Sequence, residues 1–171
     1  FGTFTKDSVW YWASAGKSLT AVLVGLAQED GMLNITLPAS NFLGPNWTTC
    51  SGFNEQSITI QNQLTMTTGL DEAYVDQYCT LPSCLSCLTT PGTRWAYYTA
   101  PYTKLDDVLR TATGMGINQF LNRKIFTITG MTGLYLAQGY NNVFFSKPRS
   151  MARFGLLMLN KGNWNGTQII N

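Results

Sequence analysis

The chain has 171 residues, 44% of them apolar, which is enough for one domain with a sizeable core and excludes a disordered or low-complexity chain. Eleven basic and nine acidic residues leave a net charge of +2, too small a balance to argue for a nucleic-acid binder, and charged residues are only 12% of the chain, about half the usual share. There is no histidine, which removes His-based zinc sites and every Ser–His or Cys–His catalytic pair from this polypeptide.

Val9 to Ala13 reads as a short extended run rich in aromatics, followed by Ser14 and a helix. Leu19, Val22, Leu23 and Leu26 fall at i, i+3, i+4 and i+7, one apolar stripe, and Gly31 stands where that helix would stop. Asn34 to Gly52 is loop-like. Thr59 is the expected N-cap of a short helix through Thr67, closed by Gly69. Residues 71–93 hold the cysteine cluster and read as an irregular, cross-linked insertion ending in the turn Pro91-Gly92. A second helix is predicted from Pro101 to Ala112, ended by Gly114, and a further one from Ile117 to Phe126. Short strands are expected within Tyr135 to Phe145. The last helix runs from Ser146, its candidate cap, to Asn160, with Pro148 in its first turn.

Cys79, Cys84 and Cys87 crowd within nine residues, with Cys50 apart. A metal site would want two C-x-x-C pairs, and Cys84 with Cys87 supplies one. Two disulfides suit an exported protein better; they admit three connectivities, of which Cys79–Cys84 with Cys50–Cys87 is the expected one. The longest apolar stretch, Leu19 to Ala27, is too short to span a bilayer. The chain opens with Phe1 and shows no signal pattern, so we expect a processed export signal or a piece of a longer chain; Thr167 to Asn171 likewise begins an element that does not finish.

Ser14-Ala15-Gly16-Lys17 is the one S-x-x-K in the sequence. A serine at a helix start has its hydroxyl near free N–H groups and the positive end of the dipole. A lysine three residues on lies one turn further along the same face. A free amine, with a pKa of about 10.4, is a poor base, but burial and nearby positive charge lower it enough to deprotonate a serine. This is nucleophilic catalysis without histidine. Taken alone, the motif equally describes a capped helix with a solvated lysine.

The surrounding segments decide between these readings. An extended aromatic run, Ser14, and then a strongly apolar helix resembles the serine β-lactamase and penicillin-binding-protein superfamily, most of all its class C branch of related serine hydrolases. Ile58-Thr59-Ile60 through Leu64-Thr65-Met66-Thr67-Thr68-Gly69-Leu70 is similar to the family's segment ending in a Ser/Thr-Gly-Leu turn. Pro91-Gly92-Thr93-Arg94-Trp95-Ala96-Tyr97 resembles the approach to the family's Y-x-N motif. Ser150 to Leu156, with Gly162-Asn163-Trp164-Asn165-Gly166, resembles the helix and turn before the last strands. The matches keep the family's order along nearly the whole chain.

The resemblance implies an α/β (α+β) β-lactamase/transpeptidase-like fold. Residues 1–171 would hold mostly the helical subdomain and the nucleophile helix, without the N-terminal strands or the C-terminal strands that carry the third motif. It implies Ser14 as nucleophile, Lys17 and Tyr97 as the groups that move protons, and no metal or cofactor. The substrate would be a small molecule or peptide: a β-lactam, a D-amino peptide or a small ester. The rest of the chain, or a partner chain, would complete the sheet. The place would be secreted or periplasmic, with no nucleic acid and no membrane span. Thr99 stands where the family has Asn, so a substrate amide would be held less well. Trp12, with Trp10 and Tyr11, lines a cleft or lies in the core. The rival expectation is a catalytically silent homologue with a binding or assembly role. Asp106-Asp107 and Asp71-Glu72 read as surface or helix-start acids, because adjacent acids on a helix point in different directions.

Overall fold

The computed structural model describes residues 2–73 and 76–171. Residues 74 and 75, inside the predicted cross-linked insertion, lie outside that range. In chain order, β1 (Trp10–Tyr11) leads through a 3-10 turn (Ala13–Ala15) into α1 (Gly16–Glu29). There follow α2 (Ser40–Leu43), α3 (Gly52–Ser57), α4 (Ile60–Leu64) and a 3-10 turn at Pro82–Cys84. Next come α5 (Thr99–Thr103), α6 (Leu105–Thr113) and α7 (Ile117–Leu121), the last continued by a π-helical turn (Asn122–Phe126) into α8 (Thr127–Thr129). β2 (Leu134–Gln138), β3 (Asn141–Ser146), α9 (Pro148–Leu159), β4 (Asn163–Trp164) and β5 (Thr167–Gln168) complete the order.

The first three strands form an antiparallel sheet in the order β1-β3-β2, and β4 pairs with β5 in a separate hairpin. In β2 and β3 the register sets Tyr135 opposite Phe144, and both rings turn inward. The linking turn has positive φ at Gly139 and not at Tyr140, as a type II′ hairpin requires. Against the inner face packs the stripe Leu19, Leu23 and Leu26 of α1, with Leu105, Val108 and Leu109 of α6 and Phe154 of α9. The three leucines are essentially inaccessible, each worth about 1.5–3 kcal/mol in removal from water.

A second, smaller core of Ala39, Trp47, Ile58, Leu70, Leu85, Tyr98 and Ala100 lies under the cysteine-rich segment. Two disulfides tie it, Cys50–Cys87 and Cys79–Cys84, the pairing expected from the sequence. The buried Glu55 organises its edge by accepting the Asn46 and Thr48 N–H groups, both at 2.8 Å, and the Thr48 hydroxyl at 2.7 Å.

Several boundaries differ from the sequence reading, each for a local reason. The helix after Thr59 has the predicted N-cap, with a full capping box to Asn62, but stops at Leu64 rather than Thr67. Met66 takes a positive φ of 59°, and the Met66 and Thr67 carbonyls accept the Ala96 and Gly92 N–H groups instead. Within the predicted loop 34–52, residues 40–43 form a helical turn. The helix predicted from Pro101 begins earlier, at Thr99. Ser146 is not the cap of α9: its hydroxyl accepts the Trp12 indole N–H at 2.7 Å and donates to the Lys147 carbonyl at 3.0 Å, and Lys147 occupies the cap position.

Gly69 shows why the second core tolerates little change. Its φ is +75°, and an added Cβ would lie 2.4 Å from the Thr89 carbonyl oxygen. That close approach lets the Gly69 carbonyl accept both the Leu88 and Thr89 N–H groups. The Cys50–Cys87 bridge spans 37 residues, so replacing both cysteines by serine should lower stability by about 3–4 kcal/mol, read from urea denaturation. An unchanged midpoint would show that this bridge does not hold the second core.

Candidate active site

Ser14 sits where β1 turns into α1. Ala13, just before it, has a φ of 47°, a left-handed conformation that a residue with a Cβ adopts at a cost of about 1–2 kcal/mol. The turn is held from both sides. The Trp12 N–H donates to the Phe144 carbonyl at 2.8 Å, and the Ala15 N–H to the Trp12 carbonyl at 3.1 Å. The sharp turn lifts the Ser14 side chain into solvent while α1 runs down into the core. Its backbone N–H lies before the first intrahelical bond, so the helix does not use it.

Tyr97 arrives from 83 residues away and donates its phenolic O–H to Ser14 Oγ at 2.6 Å. The segment around it is pinned on each side. The Ala96 N–H bonds the Met66 carbonyl at 3.0 Å, the Tyr98 hydroxyl bonds the Cys84 carbonyl at 3.1 Å, and the Ala100 N–H bonds the Gln77 carbonyl at 3.2 Å. Arg94 makes a two-pronged ion pair with Glu72, which holds that carboxyl down to about 2. The second core and its disulfides thus place Tyr97.

The Lys17 ammonium lies 5.3 Å from the centre of the Tyr97 ring and 5.6 Å from that of Tyr102. Two aromatic faces at that range attract a cation. The Tyr102 hydroxyl also donates to the Lys17 carbonyl at 2.7 Å, so the same ring fixes both ends of the lysine. Partial burial pushes the Tyr97 phenol up, but its hydrogen bonding with Ser14 and Lys17, the charge of Lys17 and the Thr99 hydroxyl together bring it below the ordinary tyrosine value. Tyr102 is held up at about 12, first by burial and then by the negative charge of Asp106.

Ser14, Lys17, Tyr97 and Thr99 line one cleft of about 400 Å³. Thr99 is only 3% exposed and its hydroxyl turns to Tyr97. Trp12 is not a cleft residue: it is 5% exposed, edge-on to Phe144 at 4.9 Å, with its N–H spent on Ser146. Of the three aromatics of the first segment, Tyr11 lines the cleft, whereas Trp10 stacks on Tyr11 at 5.4 Å. The cleft also takes in residues that sequence reading did not single out. Tyr135 donates to the Gly16 carbonyl and bonds Thr20, and its strand is clamped by Asn118, which both donates to and accepts from the Tyr135 backbone. Asp106, read from the sequence as a helix-start acid, lines it as well.

A family model described as Beta-lactamase matches residues 1–169. Among solved structures, a Bacillus anthracis protein described as a 6-aminohexanoate-dimer hydrolase superposes with a TM-score of 0.82 at 19% identity, covering 99% of this chain and 52% of its own. A penicillin-binding protein from Bacillus halodurans gives 0.76 at 17% identity, covering 98% and 63%. A β-lactamase/D-alanine carboxypeptidase from Yersinia pestis, complexed with citrate, gives 0.74 at 18% identity, covering 90% and 55%. The chain therefore spans between half and two thirds of the length of these structures. No curated protein matches it.

Two of the cleft tyrosines, Tyr97 and Tyr102, should separate in a pH titration of absorbance at 295 nm. The Tyr97 phenol is lowered, so it ionises below the ordinary value of about 10, while Tyr102 ionises near 12. Tyr97→Phe should delete the lowest step and leave the higher ones. Loss of a higher step instead would contradict the placement of Lys17 against Tyr97.

Proposed function

The chain belongs to the β-lactamase family, and we propose that it works as a serine hydrolase, cleaving an amide or ester through an acyl-enzyme on Ser14. The observation that carries this reading is the 2.6 Å hydrogen bond from the Tyr97 phenol to Ser14 Oγ, beside a lysine that makes the phenol more acidic.

In its ionised form Tyr97 accepts the Ser14 proton rather than donating one. Ser14 Oγ then bonds to the substrate carbonyl carbon, and the Ser14 N–H left unused by the helix supports the oxygen that becomes negative. Collapse breaks the bond to the leaving group, which takes the proton from Tyr97. Water, deprotonated through the same phenol, cleaves the ester and returns the proton to Ser14. Lys17, beside the Tyr97 ring, supports the phenolate charge and shares in handling the protons.

The substrate class fits a small amide, a β-lactam, a D-amino peptide or an ester. We assign the rest of the sheet, and the third motif, to chain outside residues 1–171 or to a partner chain, in keeping with relatives of greater length. Two disulfides support an oxidising compartment, outside the cell or in a periplasm. Among the described residues no helix is long and apolar enough to cross a membrane. Thr99 favours a second reading, a silent homologue used for binding: it is buried, and its single hydroxyl offers no amide to a substrate.

The deciding experiment is turnover of p-nitrophenyl acetate and of a chromogenic cephalosporin by the protein in its full natural length. Ser14→Ala should lower turnover by on the order of 10³-fold or more. Equal rates in wild type and variant would overturn the hydrolase reading and leave the binding role.

A further inference from the structure

The two adjacent acids of α6 behave differently. Asp107 faces outward and pairs with Lys104, at 2.6 Å, and with Arg110. Asp106 faces the other way and lines the Ser14 cleft one helical turn after Tyr102. It forms no ion pair among the described residues. Its one hydrogen bond among them comes from the Asn142 side-chain amide, at 2.7 Å. Asn142 is fixed in turn, because its N–H donates to the Asn141 side-chain oxygen at 3.0 Å, which also accepts from Thr103 at 3.2 Å.

The groups packed around Asp106 sharpen the contrast. The Tyr135 phenol of β2 and the Tyr102 phenol of α5 line the same cleft, and the negative charge of Asp106 helps keep both protonated. From its own helix Asp107 adds negative charge and Arg110 a weaker positive influence. Lys17, across the cleft on α1, is engaged by Tyr97 and Tyr102 instead. A half-buried carboxylate with one amide partner and no ion pair is costly to keep in a folded chain. Burial pushes the Asp106 carboxyl up to about 6, so it is still ionised in neutral solution.

A second cleft of about 390 Å³ meets the first at this point, sharing Thr103, Asp106, Asn141 and Asn142 as a common wall. The carboxylate therefore borders both the nucleophile's cleft and the neighbouring one. We propose that Asp106 is an anionic subsite that binds the protonated amino group of the substrate, so that the preferred substrates are amides or esters bearing a free amine. This rests on the hydrolase reading of Ser14. Asp106 selects substrate and takes no part in moving protons at the serine.

The test uses the full-length protein and pairs of p-nitroanilides: straight-chain ω-amino acids of two to six carbons, each against the matching unsubstituted acid. At pH 7.5 the amino member of the best-fitting pair should have a kcat/KM at least about tenfold higher, the scale of a charge-assisted hydrogen bond. Asp106→Asn, which keeps the shape and a polar partner for Asn142, should bring that ratio to about 1. The readout is the ratio of the two substrates, so a loss common to both members does not count toward the subsite. Lowering the pH through about 6 protonates Asp106 and should erase the wild-type preference in the same way. Turnover of the neutral substrate with no amine preference at any chain length, or a preference unchanged in Asp106→Asn, would overturn the subsite while leaving the hydrolase standing. No turnover of either member, by wild type and Ser14→Ala alike, would overturn the hydrolase reading and the subsite with it.

Discussion

A hydrogen bond between side chains 83 residues apart sets the terms for the rest of the molecule. Ser14 has no acidity of its own near neutral pH, and the chain has no histidine to lend it. A phenol brought to 2.6 Å beside an ammonium is what this polypeptide has instead. Such a contact is unforgiving, because a hydroxyl pair separated by one more ångström exchanges no proton. Each end must therefore be fixed by something stiffer than itself.

The two ends are fixed by different means. Ser14 is held by the large core. α1 buries Leu19, Leu23 and Leu26, and Trp12 locks the turn to β3 through its backbone and its indole. Tyr97 is held by the small core, with two disulfides and the Arg94–Glu72 pair around it. Tyr102 joins the halves. It follows Tyr97 by five residues, yet it bonds the backbone of α1 and carries the Lys17 ammonium on its ring. The cysteine-rich segment is in this sense part of the site, though none of its sulfurs touches it.

What the sequence made legible follows from what kind of constraint each feature obeys. The α1 stripe, the Thr59 cap and the Gly114 stop are local rules, and the structure has each of them. The early end of α4 is not local: its last turn is given up so that Met66 and Thr67 can bond residues 96 and 92. Ser146 failed as a cap for the same reason, since a tryptophan 134 residues away had claimed its hydroxyl. Trp12 could be core or cleft on sequence alone, because an aromatic beside a nucleophile serves either use. Its indole bond to Ser146 placed it in the core. Asp106 was hidden by its neighbour: two adjacent acids at a helix start look alike until the helix is docked and one of them turns inward.

The most direct test of the Ser14–Tyr97 assembly is covalent. The native protein would be treated with a fluorophosphonate, weighed intact by mass spectrometry and mapped by peptide. A single adduct on Ser14, slowed sharply in Tyr97→Phe, is the expected result. A folded protein that takes no adduct, or takes it on another residue, would contradict the assignment of Ser14 as an activated nucleophile.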